Sequence, residues 1–152
     1  MMNERQQRLA ELVDENRRMI LDTERFIWAH PETGYREWQT EAYLEAIFTS
    51  LGYEVVKAGD IPGFYADLDT GRPGPKLLIM GEMDALACPT HPEAVNGNAH
   101  ACGHNAQCAA MAGLAAALKA PAALEGLSGS IRLMIVPAEE LIEIEYRETL
   151  RQ

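Results

Sequence analysis

The stretch "KLLIMGEMDA", residues 76–85, decides the fold. Its first half is a continuous apolar run, the pattern of a strand buried inside a sheet. "GRPG" at 71–74 supplies turn chemistry before it, and Glu82 and Asp84 close it with two carboxylates on the same side of an extended chain. A second run, "SIRLMIVP" at 130–137, has the same character and ends in "AEE". Shorter strands are expected at "YEVV" (53–56) and "FYADLDT" (64–70).

Helical spacing fills the rest. Leu9, Leu12, Val13, Ile20, Leu21, Phe26 and Ile27 predict one long amphipathic helix from Asn3 to about Ala29, stopped by Pro31 and Gly34. Thr40 to Leu51 reads as a second helix with Gly52 as its stop. Asn105 to Lys119 reads as a third, with Asn105 as its N-cap, and the tail after "AEE" as a fourth. Residues 85–99 read as loop. Helices alternating with buried strands define a layered α/β domain, one domain for 152 residues. Ligands of such sheets gather beyond the carboxyl ends of the strands, where three polar clusters fall.

The first is "HACGHN", 100–105. Cys102 and His104 are a thiol and an imidazole, both good zinc ligands, and Gly103 lets the chain turn between them. The alternative is a glycine turn entering a helix. The second is "PAEE": one of Glu139 and Glu140 could bind a cation while the other acts as general base, or both could be a solvated acidic helix start. In the third, Asp84 suits the support of a ligating imidazole, or the capping of a turn.

Composition bounds the function. A net charge of −10 argues against nucleic acid or an anionic membrane as partner. The charged start and the lack of a long apolar run point away from a signal peptide or membrane span. Three cysteines, an odd number, point to reduced thiols and a cytoplasmic location.

Taken together, "HPETGYREWQTEAYLEAIFTSLGYEV", "MDAL", "HACGHN" and "PAEE", in that order, resemble the zinc-dependent amidohydrolases and peptidases that include aminoacylase, hippurate hydrolase, glutamate carboxypeptidase and aminobenzoyl-glutamate hydrolase. The resemblance runs from about residue 20 onward. It implies the N-terminal portion of a layered α/β/α zinc-peptidase-like catalytic domain, a mixed sheet flanked by helices. It implies Cys102, His104 and Glu140 as metal ligands, Glu139 as the general base for a metal-bridging water, and Asp84 as a supporting acid. Glu82 stands where more distant relatives carry a ligating His, and Asn105 replaces the Asp usual in hippurate-hydrolase-like members. "GHN" looks more like the aminobenzoyl-glutamate branch. Gln107 stands where the hippurate-type pattern often has His.

The implied cofactor is two zinc ions, with manganese or cobalt as alternatives. The implied substrate is an N-acyl or N-aroyl amino acid or a small peptide. Family members are much longer, so the chain is expected to be a partial catalytic domain without the remaining His ligands and without the lid or dimerisation domain. Pairing with a second copy or with the missing C-terminal part is the expected association. A non-catalytic metal-binding or interaction module is the competing reading. Cys102 as a thiol nucleophile with His104 as base is disfavoured, since no third group orients the pair. His30, His91 and Cys108 read as structural or surface residues, and Met80, Met83, Met111 and Met134 as core.

Overall fold

The computed structural model describes residues 3–141 and 143–150. The N-terminal helical stretch is two helices, α1 (Glu4–Glu15) and α2 (Arg17–Ala29), where one was expected. Asn3 and Gln6 form a reciprocal capping box at the start of α1. The break is at Asn16, whose side-chain amide donates to the Leu12 carbonyl. Asn competes for backbone partners in this way and so favours a helix end.

Helix α3 spans Trp38–Ser50. Strands β1 (Val56–Lys57), β2 (Phe64–Asp69) and β3 (Lys76–Glu82) follow. The segment expected as loop carries a small ribbon of β4 (Leu86–Ala87) and β5 (Asn98–Ala99). Helix α4 (His104–Lys119) leads to β6 (Ser130–Val136), and the short α5 covers Ile144–Thr149. The helix expected to run to the chain end is therefore one and a half turns, and residues 142, 151 and 152 of that expectation lie outside the described ones.

The main sheet has the order β1-β2-β6-β3. β2 is antiparallel to β1 and β6, whereas β3 runs parallel to β6 across α4. The sheet is thus mixed and packed against helices, the expected class. Its helix-facing side buries Phe64, Ala66, Leu68, Leu133 and Ile135 against Ile27, Leu44, Phe48 and the small residues of α4. Ala112 and Ala115, both fully buried, let α4 lie close to its neighbours.

The 76–80 run is not buried as its apolar character suggested. β3 pairs only with β6 among the described residues, and Leu77, Leu78 and Met80 are each about half exposed. On the open face shared by Leu78 and Met80, Arg132 forms a two-pronged pair with Asp67 and lies over the Tyr65 ring. Met83 and Met111 are core, as expected, but Met80 is exposed and Met134 only partly buried. His91 is partly covered and packs edge-on to Trp28. No helix among the described residues is long and apolar enough to cross a membrane.

Candidate metal centre at the parallel strand ends

The register of β3 and β6 builds the site. Glu82 lies opposite Val136, and the Met83 amide donates to the Val136 carbonyl at 3.0 Å. The two strands therefore release their chains side by side, "MDA" from one and "PAEE" from the other. Helix α4, the crossover between them, begins at the same end.

The turn into α4 uses Gly103 at φ 92, in the left-handed region that glycine enters without cost. Gly103 is the N-cap. Asn105, expected there, is inside the first turn and buried, where its amide donates to Glu24 of α2 at 2.7 Å. The cap position shifted by two residues because the backbone needed a left-handed residue more than a side-chain acceptor.

His104 is the centre of the cluster. It is buried, and its Nδ1 is 2.9 Å from the Asp84 carbonyl and 3.1 Å from an Asp84 carboxylate oxygen. A carbonyl only accepts, so Nδ1 carries the proton and Nε2 keeps its lone pair. Around Nε2 stand Glu82 at 3.2 Å and Glu139 and Glu140 at 3.9 Å each. The other Asp84 oxygen accepts the Glu140 amide at 2.8 Å, so one buried carboxylate orients both the imidazole and the Glu140 backbone.

Two donor triads result: Cys102, His104 and Glu140, and Glu82, His104 and Glu139, the ligand atoms of each within 4.8 Å of one another. Among the described residues, no Lys or Arg pairs with Glu82, Asp84, Glu139 or Glu140. One oxygen of Glu140 is buried with no hydrogen-bond partner. An orphaned carboxylate oxygen beside a thiol and an imidazole lone pair fits a borderline divalent cation such as zinc.

Without a cation the same carboxylates act on Cys102. Its thiol is exposed, and its pKa is pushed up, first by its hydrogen bond to Glu140 and then by the surrounding negative charge. That is the reverse of an activated thiol nucleophile. A bound cation would invert this effect and favour the thiolate.

Glu82 is held from behind. Its backbone amide donates to Gln107 at 2.6 Å, and the Gln107 amide reaches its carboxylate at 3.3 Å. The buried Cys108 thiol donates to the Glu82 carbonyl, fixing α4 to the strand end. His100 is buried with both ring nitrogens unpartnered, and burial first, then the neighbouring His104, lowers its pKa to about 4, so it is neutral.

Glu37, to which the sequence assigned no role, stands directly behind the acidic loop. It is fully buried, and one of its oxygens accepts the Ala138 amide at 2.9 Å. Desolvation, reinforced by Asp84 and Glu32, raises its pKa to about 7 despite backbone hydrogen bonds that act the other way. The only sequence signal was a glutamate just before a predicted helix, which a solvated helix start explains equally well.

The raised pKa has a definite sign. The unfolded chain releases this proton near 4.5 while the folded chain keeps it until about 7, so the folded state binds more protons in between. Relative to Glu37→Gln, the metal-free protein is expected to lose up to ~1.4 kcal/mol of stability per pH unit as pH rises from 4.5 towards 7, levelling off above it. Urea unfolding at a series of pH values checks this, and parallel curves for the two proteins would contradict it.

An α/β domain that gathers a thiol, an imidazole and carboxylates at its parallel strand ends is the class defined by this site. Residues 64–145 match the peptidase family M20/M25/M40, and the chain belongs to that family. Curated relatives include one of the subunits of p-aminobenzoyl-glutamate hydrolase from Escherichia coli (strain K12), 31% identical over 87% of this chain and 29% of that protein. Another is N-acetyl-L-cysteine deacetylase of Bacillus subtilis (strain 168), 28% identical over 81% of this chain and 30% of that one. The chain thus spans less than a third of the length of these relatives.

A solved Bacillus subtilis structure described as a dinuclear metal binding peptidase of the M20 family superposes with a TM-score of 0.72 at 26% identity, over 87% of this chain and 39% of that one. The aminobenzoyl-glutamate utilization protein from Klebsiella pneumoniae gives 0.67 at 26% identity, with the same two coverages.

Proposed function

We propose that the protein is a metal-dependent amidohydrolase that cleaves the amide bond of N-acyl or N-aroyl amino acids or small peptides. One observation carries this reading: the buried His104 donates its Nδ1 proton to Asp84, with its free Nε2 turned to three carboxylates and the Cys102 thiol. Cys102, His104 and Glu140 would hold the cation, with Glu82 bordering it. Zinc suits this sulfur, nitrogen and oxygen set, and manganese or cobalt are the alternatives. A bound pair of such ions would polarise the substrate carbonyl and acidify a water molecule.

The chain's own residues supply the rest. Glu139 is about half exposed, so its carboxylate is free to take the proton of the attacking water and pass it to the leaving amine. Asp84 keeps the imidazole in one tautomer throughout. Gln107 holds the Glu82 carboxylate beside the imidazole. The names of the two curated relatives support the substrate class, since both specify an acylated amino acid. The free thiols of Cys88, Cys102 and Cys108 support a cytoplasmic location.

Dialysis against a chelator is expected to abolish hydrolysis of N-acetyl and N-aroyl amino acids, and added zinc to restore it. Full turnover by the chelated protein would overturn the proposal. The half-exposed Leu78 and Met80 favour a second reading, a metal-binding or interaction module that needs further chain or a second copy over its open sheet face. That reading expects metal binding with no turnover by the chain alone.

A further inference from the structure

A loop that contributes to neither donor triad lies behind both acidic segments. Glu32 in this loop accepts from the Thr40 amide and hydroxyl at the start of α3, and its own carbonyl accepts the Ala85 amide at 2.7 Å, next to Asp84. Gly34 lies so close to the other segment that a Cβ there would come within 2.6 Å of the Leu141 carbonyl and 2.9 Å of the Ala138 Cβ. Arg36 pairs with Glu143 at 2.6 Å, holding the chain just past Glu140. Glu37 then reaches in from the end of this loop, its own carbonyl fixed by the Glu41 amide of α3.

What it holds is a strained point. Ala138 has φ 56, a left-handed conformation that an alanine adopts only when its surroundings impose it. This residue immediately precedes Glu139 and Glu140, and its dihedrals set the direction in which both leave β6. We infer that Glu37 is a positioning residue: by accepting the Ala138 amide it locks the left-handed turn and so aims Glu139 and Glu140 at His104. This rests on the proposed metal site for its consequence, but the contact itself exists without metal. One oxygen of Glu37 makes the bond to Ala138, and the other is buried and unpartnered, so solvent does not compete for the carboxylate.

The experiment compares Glu37→Ala, Glu37→Gln and Glu37→Asp with the wild type, by amide hydrogen exchange without metal and by zinc titration calorimetry. In Glu37→Ala the Ala138 amide is expected to exchange about tenfold faster or more, because its acceptor is gone. Zinc affinity is expected to fall by ~10–100-fold in Glu37→Ala and to stay within about threefold of wild type in Glu37→Gln, which keeps an acceptor oxygen. If Glu37→Ala does not fold, Glu37→Asp carries the test: its carboxylate, one methylene short, should lose the Ala138 protection and the zinc affinity together.

Unchanged Ala138 exchange in the Ala variant, or in the Asp variant if Ala does not fold, would overturn the contact. Faster exchange with wild-type zinc affinity would overturn the positioning. A wild type that binds no zinc would instead sink the proposed function, while the exchange data would still decide the contact.

Discussion

Replacing Glu139 with Gln is expected to lower kcat for an N-acylated amino acid by ~10²–10⁴-fold while the protein still binds metal, the usual contribution of a general base. The substitution keeps size and hydrogen bonding but removes the only function assigned to this side chain, accepting a proton. Glu139 is suited to this part because it is the exposed member of the acidic pair. Its side chain is about half exposed, whereas that of Glu140 is largely covered and has an orphaned oxygen. Both carboxylates stand 3.9 Å from the His104 Nε2, but only Glu139 is open to solvent, while Glu140 also borders Cys102. Measured kcat together with metal content checks this. Undiminished turnover would remove Glu139 from the mechanism, and loss of metal along with activity would make it a ligand.

Replacing His104 with Ala is expected to weaken zinc binding by more than the ~10–100-fold that loss of a supporting residue costs, because His104 belongs to both donor triads. The same change leaves a buried Asp84 oxygen without its imidazole partner, so the metal-free fold should lose about 1–3 kcal/mol as well. The two effects are read separately, by calorimetric titration with zinc and by urea unfolding in chelator. Wild-type zinc affinity in His104→Ala would contradict a cation held at Nε2.

Much of this arrangement was legible in the sequence because the donors stand directly after strands whose apolar runs are easy to see. "MDA" and "PAEE" follow such runs, and "HACGHN" opens an alanine-rich helix, so their meeting followed from α/β topology alone. What was not legible depended on tertiary context. The apolar run of β3 looked like a central strand, yet apolar character cannot tell a strand buried by its neighbours from one at an open edge. Asn105 looked like a cap because its type favours caps, but Glu24 on α2 offered it a buried partner and Gly103 met the backbone requirement.

Glu37 was the harder case. Nothing local marks a glutamate as the one that will be driven into the interior to hold an amide a hundred residues away. The assignment of Glu139 as base and Glu140 as ligand came from the family resemblance and not from strand alternation, which does not apply where Ala138 turns left-handed.

Cobalt titration of the wild-type protein asks whether Cys102, His104 and Glu140 share one cation. A thiolate bound to cobalt(II) gives a charge-transfer absorption that carboxylate and imidazole ligands do not. If the three residues surround one ion, this band should grow with added cobalt, and it should vanish in Cys102→Ser. A protein that takes up cobalt without the band, or a band undiminished in Cys102→Ser, would contradict a metal centre built on Cys102.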